Sequence, residues 1–156
     1  MSEIQINFRE VIYEDIWLLY NWSNDPISRK MSFNSEPISQ EEHQQWFVAV
    51  MENPNIVILI AEVDHKPIGF VRFNISDVDA VISIAIDHSK RGKGWAIPMI
   101  NESIHYIQKI KNIKNIYAYI KEENTPSIRT FVNAKFSLVE KNKKNDYYYL
   151  KFKYFL

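Results

Sequence analysis

The segment ISIAIDHSKRGKGWAIPMINESIHYI, residues 82–107, constrains this chain more than any other. It reads as an apolar strand, then a short basic glycine loop, then a long helix pattern. Two of the chain's three glycines, Gly92 and Gly94, fall in the loop Arg91-Gly92-Lys93-Gly94-Trp95-Ala96. Glycine lets backbone approach a ligand closely and tolerates positive φ. The first helical turn adds unpaired N–H donors and the positive end of a dipole. A strand handing over to a helix through such a loop makes a cradle for an anion, most often a phosphate.

The rest of the chain is organised around that unit. Residues 4–8 alternate as a first strand, and Tyr13 to Trp22 has helical spacing. Asn24-Asp25-Pro26 punctuates the chain and opens at most a short turn. Ser39-Gln40-Glu41-Glu42 is a capping box that launches a helix to about Glu52. Three strands follow at 56–63, 67–75 and 80–86, joined by the polar turns Asp64-His65-Lys66 and Asp77-Val78-Asp79. After the glycine loop a helix runs to about Ile110, then a strand at 115–121 and a helix from Thr125 to Ala134. FSLVEK and YYYLKFKYF close the chain as a hairpin. The order β-α-α-β-β-β-α-β-α-β-β predicts one α/β domain over residues 1–156, with a mixed, mostly antiparallel sheet flanked by helices.

Composition narrows the function. The 19 basic and 19 acidic side chains cancel, so the chain lacks the basic excess of a nucleic-acid binder. No apolar run approaches the ~20 residues that span a bilayer, and MSEIQINFREV lacks the layout of a signal peptide. A cytoplasmic protein with no membrane partner is the expectation. Cysteine is absent, which removes thiol nucleophiles and cysteine-ligated metals. His65, His88 and His105 are scattered, so no metal site is expected.

In that strand-to-helix setting, Arg91, Gly94 and Ala96 fit the acetyl-CoA signature of the GCN5-related N-acetyltransferases (GNAT). Glu123-Asn124-Thr125-Pro126-Ser127-Ile128-Arg129 resembles the same family's segment after the fifth strand. NWSNDPISRKMSFNSEPISQEEHQQWF further resembles the PseH-like branch, which acetylates the 4-amino group of UDP-linked amino sugars on routes to nonulosonic acids such as pseudaminic acid.

The resemblance implies acetyl-CoA as co-substrate and no metal. It places the diphosphate on Arg91, Gly92, Lys93, Gly94, Trp95 and Ala96, and the pantetheine arm along Ile84, Ala85 and Ile86, in a gap where the fourth strand splays from the fifth. Asn124 would reach the arm from the other side. Ser127 is either a second polar contact or a helix-start residue, and Phe131 stands where many members carry a proton-donating Tyr. A second departure is Val81, at the place of a common proton-relaying Glu. Tyr119 or Tyr117 is a substitute donor, unless both are core.

For the base, His43 titrates in the useful range, unless it is an exposed helix residue or a substrate contact. Glu123 through water, and Ser83 as the group that positions the water, are alternatives. Arg29 and Arg72 are candidates for the UDP diphosphate. Phe33, Trp22 and Trp46 either stack on uracil and shape the sugar pocket or, for the tryptophans, pack in the core.

Two other outcomes stay open at this point. One is another acceptor amine: a protein N-terminus, an aminoglycoside or a polyamine. The other is a CoA-binding module without catalysis. A homodimer through the tyrosine-rich YYYLKFKYF is also possible from its composition, although a buried edge would look the same.

Overall fold

The computed structural model describes residues 5–156. The seven strands are β1 (Asn7–Glu10), β2 (Ile56–Val63), β3 (Lys66–Ser76), β4 (Asp79–Ile86), β5 (Asn115–Lys121), β6 (Phe136–Lys144) and β7 (Tyr147–Phe155). They form one sheet in the order β1-β2-β3-β4-β5-β7-β6. Every neighbouring pair is antiparallel except β4 and β5. The helices are α1 (Ile16–Ser23), α2 (Pro26–Met31), α3 (Gln40–Met51), α4 (Ala96–Ile110) and α5 (Thr125–Asn133). This is the α/β architecture expected from the sequence.

Strand alternation decides which helices cover which face. Val71, Phe73 and Ile82 point to one side, where Met99, Ile100, Ile104 and Ile107 of α4 complete the larger core. Ile100, Ile104 and Ile107 recur at four- and three-residue spacing with Met99 beside them, the stripe of an amphipathic helix. Ile58, Ile60 and Phe70 point to the opposite side and bury Leu19 and Trp22 of α1 with Phe47 and Val50 of α3. The sheet therefore separates two helical layers, and any group on the second face lies on the α1–α3 side.

Two expectations need correcting. The first strand is Asn7–Glu10, later than residues 4–8, and Ile4 lies outside the described residues. Arg9 fixes it there: Nη1 meets Asp15 at 2.8 Å and Nε meets Glu62 of β2 at 3.1 Å. Second, the stretch taken as a turn is helix α2. Asp25 caps it by accepting from Ile27 and Ser28 N–H, and Pro26 occupies its first position. A proline there sacrifices no bond, because the first N–H groups of a helix have no partner. YYYLKFKYF pairs with FSLVEK as the closing hairpin expected. It is β7, laddered to β5 on one side and β6 on the other, so the outer strand is β6.

Candidate active site

The ladder between β4 and β5 is short. It pairs Asp79 with Asn115, Ala80 with Ile116 and Val81 with Tyr117, and then stops. Asn115 Nδ2 staples its base by donating to Asp79 Oδ1 at 2.8 Å. Beyond Val81 the strands part, and one edge of Ile82–Ile86 has no strand partner. Unpaired strand edge is a template for another extended chain.

At the open end lies the glycine loop. Gly92 has φ +72° and Gly94 φ +81°, in the left-handed region that favours glycine. A Cβ at either position would meet nothing within 4 Å, so packing does not require these glycines and the space over them is empty of protein. Among the described residues, no acceptor takes the amides of Gly92, Lys93, Gly94, Trp95 or Ala96. These donors open the 15-residue helix α4. Converging free donors at a helix start match what a diphosphate needs.

The Arg91 side chain is otherwise engaged, against expectation. Its Nε donates to Ile86 O at 3.2 Å, and its Nη2 meets Asp25 Oδ2 at 2.9 Å and Ser28 Oγ at 3.3 Å. The guanidinium thus ties the loop to the N-cap of α2. Burial alone would raise the Asp25 pKa; hydrogen bonds from Ser28 N–H and Arg91 outweigh it and hold the carboxylate below its ordinary value. Asp87 makes a second tie: Oδ1 accepts from Trp22 Nε1 at 2.9 Å and Oδ2 from the Ser89 hydroxyl. Those two hydrogen bonds lower its pKa.

The α1–α3 side of the cleft carries cations without counter-ions among the described residues. Arg72 faces Ser83 across β3 and β4, with Nη2 3.4 Å from Ser83 Oγ. Its Cζ lies 6.0 Å from the Trp46 ring, and its Nε is buried with no partner. Arg29 donates from Nη1 to Glu36 O at 3.2 Å, while its Nε is likewise buried and unpartnered. Burial lowers both guanidinium pKa values, yet arginine remains charged at neutral pH. A buried cationic donor without a partner is costly, so an anion would be favoured at this face. A cleft of about 500 Å³ runs beside Arg29 between α2 and the following loop. Asn24 pins that loop by bonding both main-chain groups of Ile38, at 2.7 and 2.8 Å.

Across the cleft, Tyr117, Tyr119 and Lys121 alternate with the buried Ile116, Ala118 and Ile120 and so share the cationic face. Tyr119 is 37 % exposed, 6.2 Å from Tyr149. Phe33 is exposed and stacks on Tyr147 at 5.9 Å. Glu123 is exposed in the turn after β5.

Several expected site residues are structural. His43 is 1 % exposed, with Nε2 2.6 Å from Ile16 O and the rings of Tyr20, Trp46 and Phe47 around it. Burial lowers its pKa, partly offset by the Ile16 carbonyl. It is a core histidine, neither base nor substrate contact. Trp22 is buried against Phe70 and bonded to Asp87, so it cannot stack on a ligand. Phe131 packs edge-on against Phe136 inside the core and presents no surface to a coenzyme. Asn124 caps α5, its Oδ1 accepting from Ser127 N–H at 3.3 Å; its amide N–H groups remain available.

The sequence reading missed Asp25, Asp87, Lys121, Tyr147 and Tyr149. Asp followed by Pro is the signal of a capped helix start that marks Asp25. The period-two burial of Leu150 and Phe152 places Tyr147 and Tyr149 on the opposite face.

The model of the acetyltransferase (GNAT) domain matches residues 5–137, most of the chain. The chain belongs to the GNAT acetyltransferases. It is an acyltransferase, and enzymes of this family use acetyl-CoA. The free amides of Gly92 to Ala96 and the splayed edge of β4 fit that co-substrate, with Arg91 contributing its backbone and its hold on α2. This acetyltransferase is 25% identical over 146 residues to the acetyltransferase PseH of Campylobacter jejuni, covering 92% of this chain and 89% of that protein. It is 27% identical over 154 residues (95% of this chain) to the uncharacterized protein MJ1062 of Methanocaldococcus jannaschii, and spans 31% of that protein's length. In structure it resembles spermidine N-acetyltransferase from Vibrio cholerae in complex with CoA and spermine. The TM-score is 0.83 at 22% identity, over 96% of this chain and 93% of the other.

Proposed function

We propose that this acetyltransferase acts in the cytoplasm on the 4-amino group of a UDP-linked amino sugar. The observation that carries the reading is a pair of guanidiniums, Arg29 and Arg72, that have no ion pair among the described residues and each keep a buried Nε without a hydrogen-bond partner. A polyamine acceptor would call for carboxylates there; Asp25, at the N-cap of α2, is spent on Arg91. A nucleotide diphosphate instead supplies the missing anion, and the exposed ring of Phe33 suits a base. The likeness to PseH supports the same acceptor class.

When bound, acetyl-CoA supplies an activated acetyl carbonyl and a thiolate leaving group. This chain's part is to hold the two reactants in line, which can supply much of such an acceleration. Arg72 and Arg29 anchor the acceptor while its neutral amine forms the new N–C bond and the C–S bond breaks. Tyr119, across the cleft from Ser83, gives its phenolic proton to the leaving sulfur. Ser83 holds a water that takes the amine's proton, with Glu123 as relay to solvent. Val81 and Phe131 in place of the usual groups slow the reaction without abolishing it, because general acid–base help is worth about 10²–10⁴-fold.

Free-thiol release with a panel of UDP-linked 4-amino sugars, spermidine and an aminoglycoside tests the acceptor. Turnover on the nucleotide-linked sugars at least 100-fold above the others is expected. Preference for spermidine or the aminoglycoside would refute the proposal.

A further inference from the structure

One buried cation on the acceptor face has no part in that chemistry. Lys121, at the end of β5, is 7 % exposed and forms no ion pair among the described residues. An ammonium has three N–H donors. Lys30 O, in the last turn of α2, accepts one at 3.2 Å, and the Tyr147 ring centre lies 4.8 Å from Nζ. Capping α2 would use a single donor and would not require burial. Removing a charge from water without a counter-anion is costly, so the remaining donors call for an anionic partner.

The surroundings say which kind. The Tyr147 hydroxyl is also buried, with no hydrogen-bond partner among the described residues. Phe33, 41 % exposed, stacks on Tyr147 with an interplanar angle of 19° and lies 5.4 Å from Tyr149. Lys144 Nζ stands 5.9 Å from the Phe33 ring. A buried ammonium, an unpaired buried hydroxyl and an exposed aromatic face in mutual contact suit a phosphate joined to a flat ring.

We infer that Lys121 and the Phe33–Tyr147–Tyr149 cluster form the acceptor's nucleotide subsite. Lys121 receives a phosphate oxygen, with the Tyr147 hydroxyl as a second donor, and Phe33 carries the base. The inference rests on the reading that the acceptor is nucleotide-linked. It also gives α2 a second purpose: Arg91 holds its first turn and Lys121 its last, so the helix spans the region between the two binding sites.

The test compares KM for a UDP-linked 4-amino sugar with KM for the same sugar lacking the nucleotide. Lys121→Met should raise the first by about 10–100-fold, the range expected for a hydrogen bond to a charged group, and Tyr147→Phe by about 5-fold. Both should leave KM for the bare sugar and for acetyl-CoA within about twofold, and Lys121→Arg should restore much of the loss. Equal losses on both acceptors would overturn the inference and leave Lys121 as a helix cap. So would an unchanged KM with a lowered thermal midpoint. If Lys121→Met fails to fold, Tyr147→Phe decides, since it deletes one hydroxyl. If the wild-type enzyme turns over no UDP-linked sugar, the acceptor reading alone has failed, and calorimetry with UDP decides the subsite. UDP binding lost in the variants sustains it, and binding absent from wild type or indifferent to the variants overturns it.

Discussion

On the α4 side of the cleft, the groups proposed to bind are main-chain amides from Gly92 to Ala96 on a wall of fully buried side chains such as Met99 and Ile100. On the α1–α3 side they are the side chains of Arg29, Arg72 and Lys121, two of them holding buried donors without partners. The first side is set by backbone shape, so it suits a ligand part that never varies. The second is set by side-chain identity and can be changed one residue at a time. A transferase with a fixed donor and a variable acceptor profits from that division, because selectivity can drift without disturbing the coenzyme site. Arg91 joins the two halves through Asp25.

Four substitutions probe the division. Gly94→Val should be the most damaging, because a β-branched residue resists φ +81° and its Cβ enters the space over the free amides. Strain of this kind costs about 1–3 kcal/mol, and with the lost donor geometry kcat/KM for acetyl-CoA should fall about 100-fold. Binding of the acceptor alone should be unchanged. Arg72→Met should do the converse, raising acceptor KM about 10–50-fold by removing a charged hydrogen-bond donor, with the acetyl-CoA KM intact. If either variant moved both constants equally, the two sides would not be separate sites.

Asp25→Asn tests the join. The pair is partly exposed, so its loss is worth about 1 kcal/mol. Steady-state kinetics should show both KM values rising together by roughly 3–5-fold. A change confined to one constant would show that the tie carries nothing across the cleft.

The smallest effect on turnover is expected from His43→Gln, within about threefold, and the pH profile of kcat should keep its shape. Stability should respond instead. Burial lowers the folded-state pKa of His43 below its ordinary 6.5, so the unfolded chain binds the extra proton first as pH falls. The contribution of neutral His43 is present above about pH 6.5 and is lost below it, at about 1.4 kcal/mol per pH unit of the depression. Thermal midpoints between pH 7.5 and 5 should drop more in wild type than in the variant.

The unequal legibility of the two sides has a physical origin. A backbone site leaves glycines at fixed spacing between a strand and a helix, and Gly92 and Gly94 are visible as such in the sequence. The apolar runs of β2, β3 and β4 between short polar turns likewise mark the strands. A side-chain site depends on which residues meet across the fold, and nothing in the spacing of Phe33, Lys121 and Tyr147 brings them together before the topology is known. The placing of β7 between β5 and β6 is likewise invisible in the order of elements along the chain. His43 misled because titration range describes an isolated imidazole, whereas burial beside Trp46 and the bond to Ile16 O decide its role. Arg91 misled for a similar reason: its charge suits a phosphate, but Asp25 claims it.

The amide resonances of Gly92, Lys93, Gly94, Trp95 and Ala96 offer the most direct test of how the coenzyme is held. On titration with acetyl-CoA they should shift together and exchange with solvent more slowly, and the acceptor alone should leave them in place. If acetyl-CoA binds at saturation while these five amides neither move nor gain protection, the loop does not hold the coenzyme and the division of labour across the cleft is wrong.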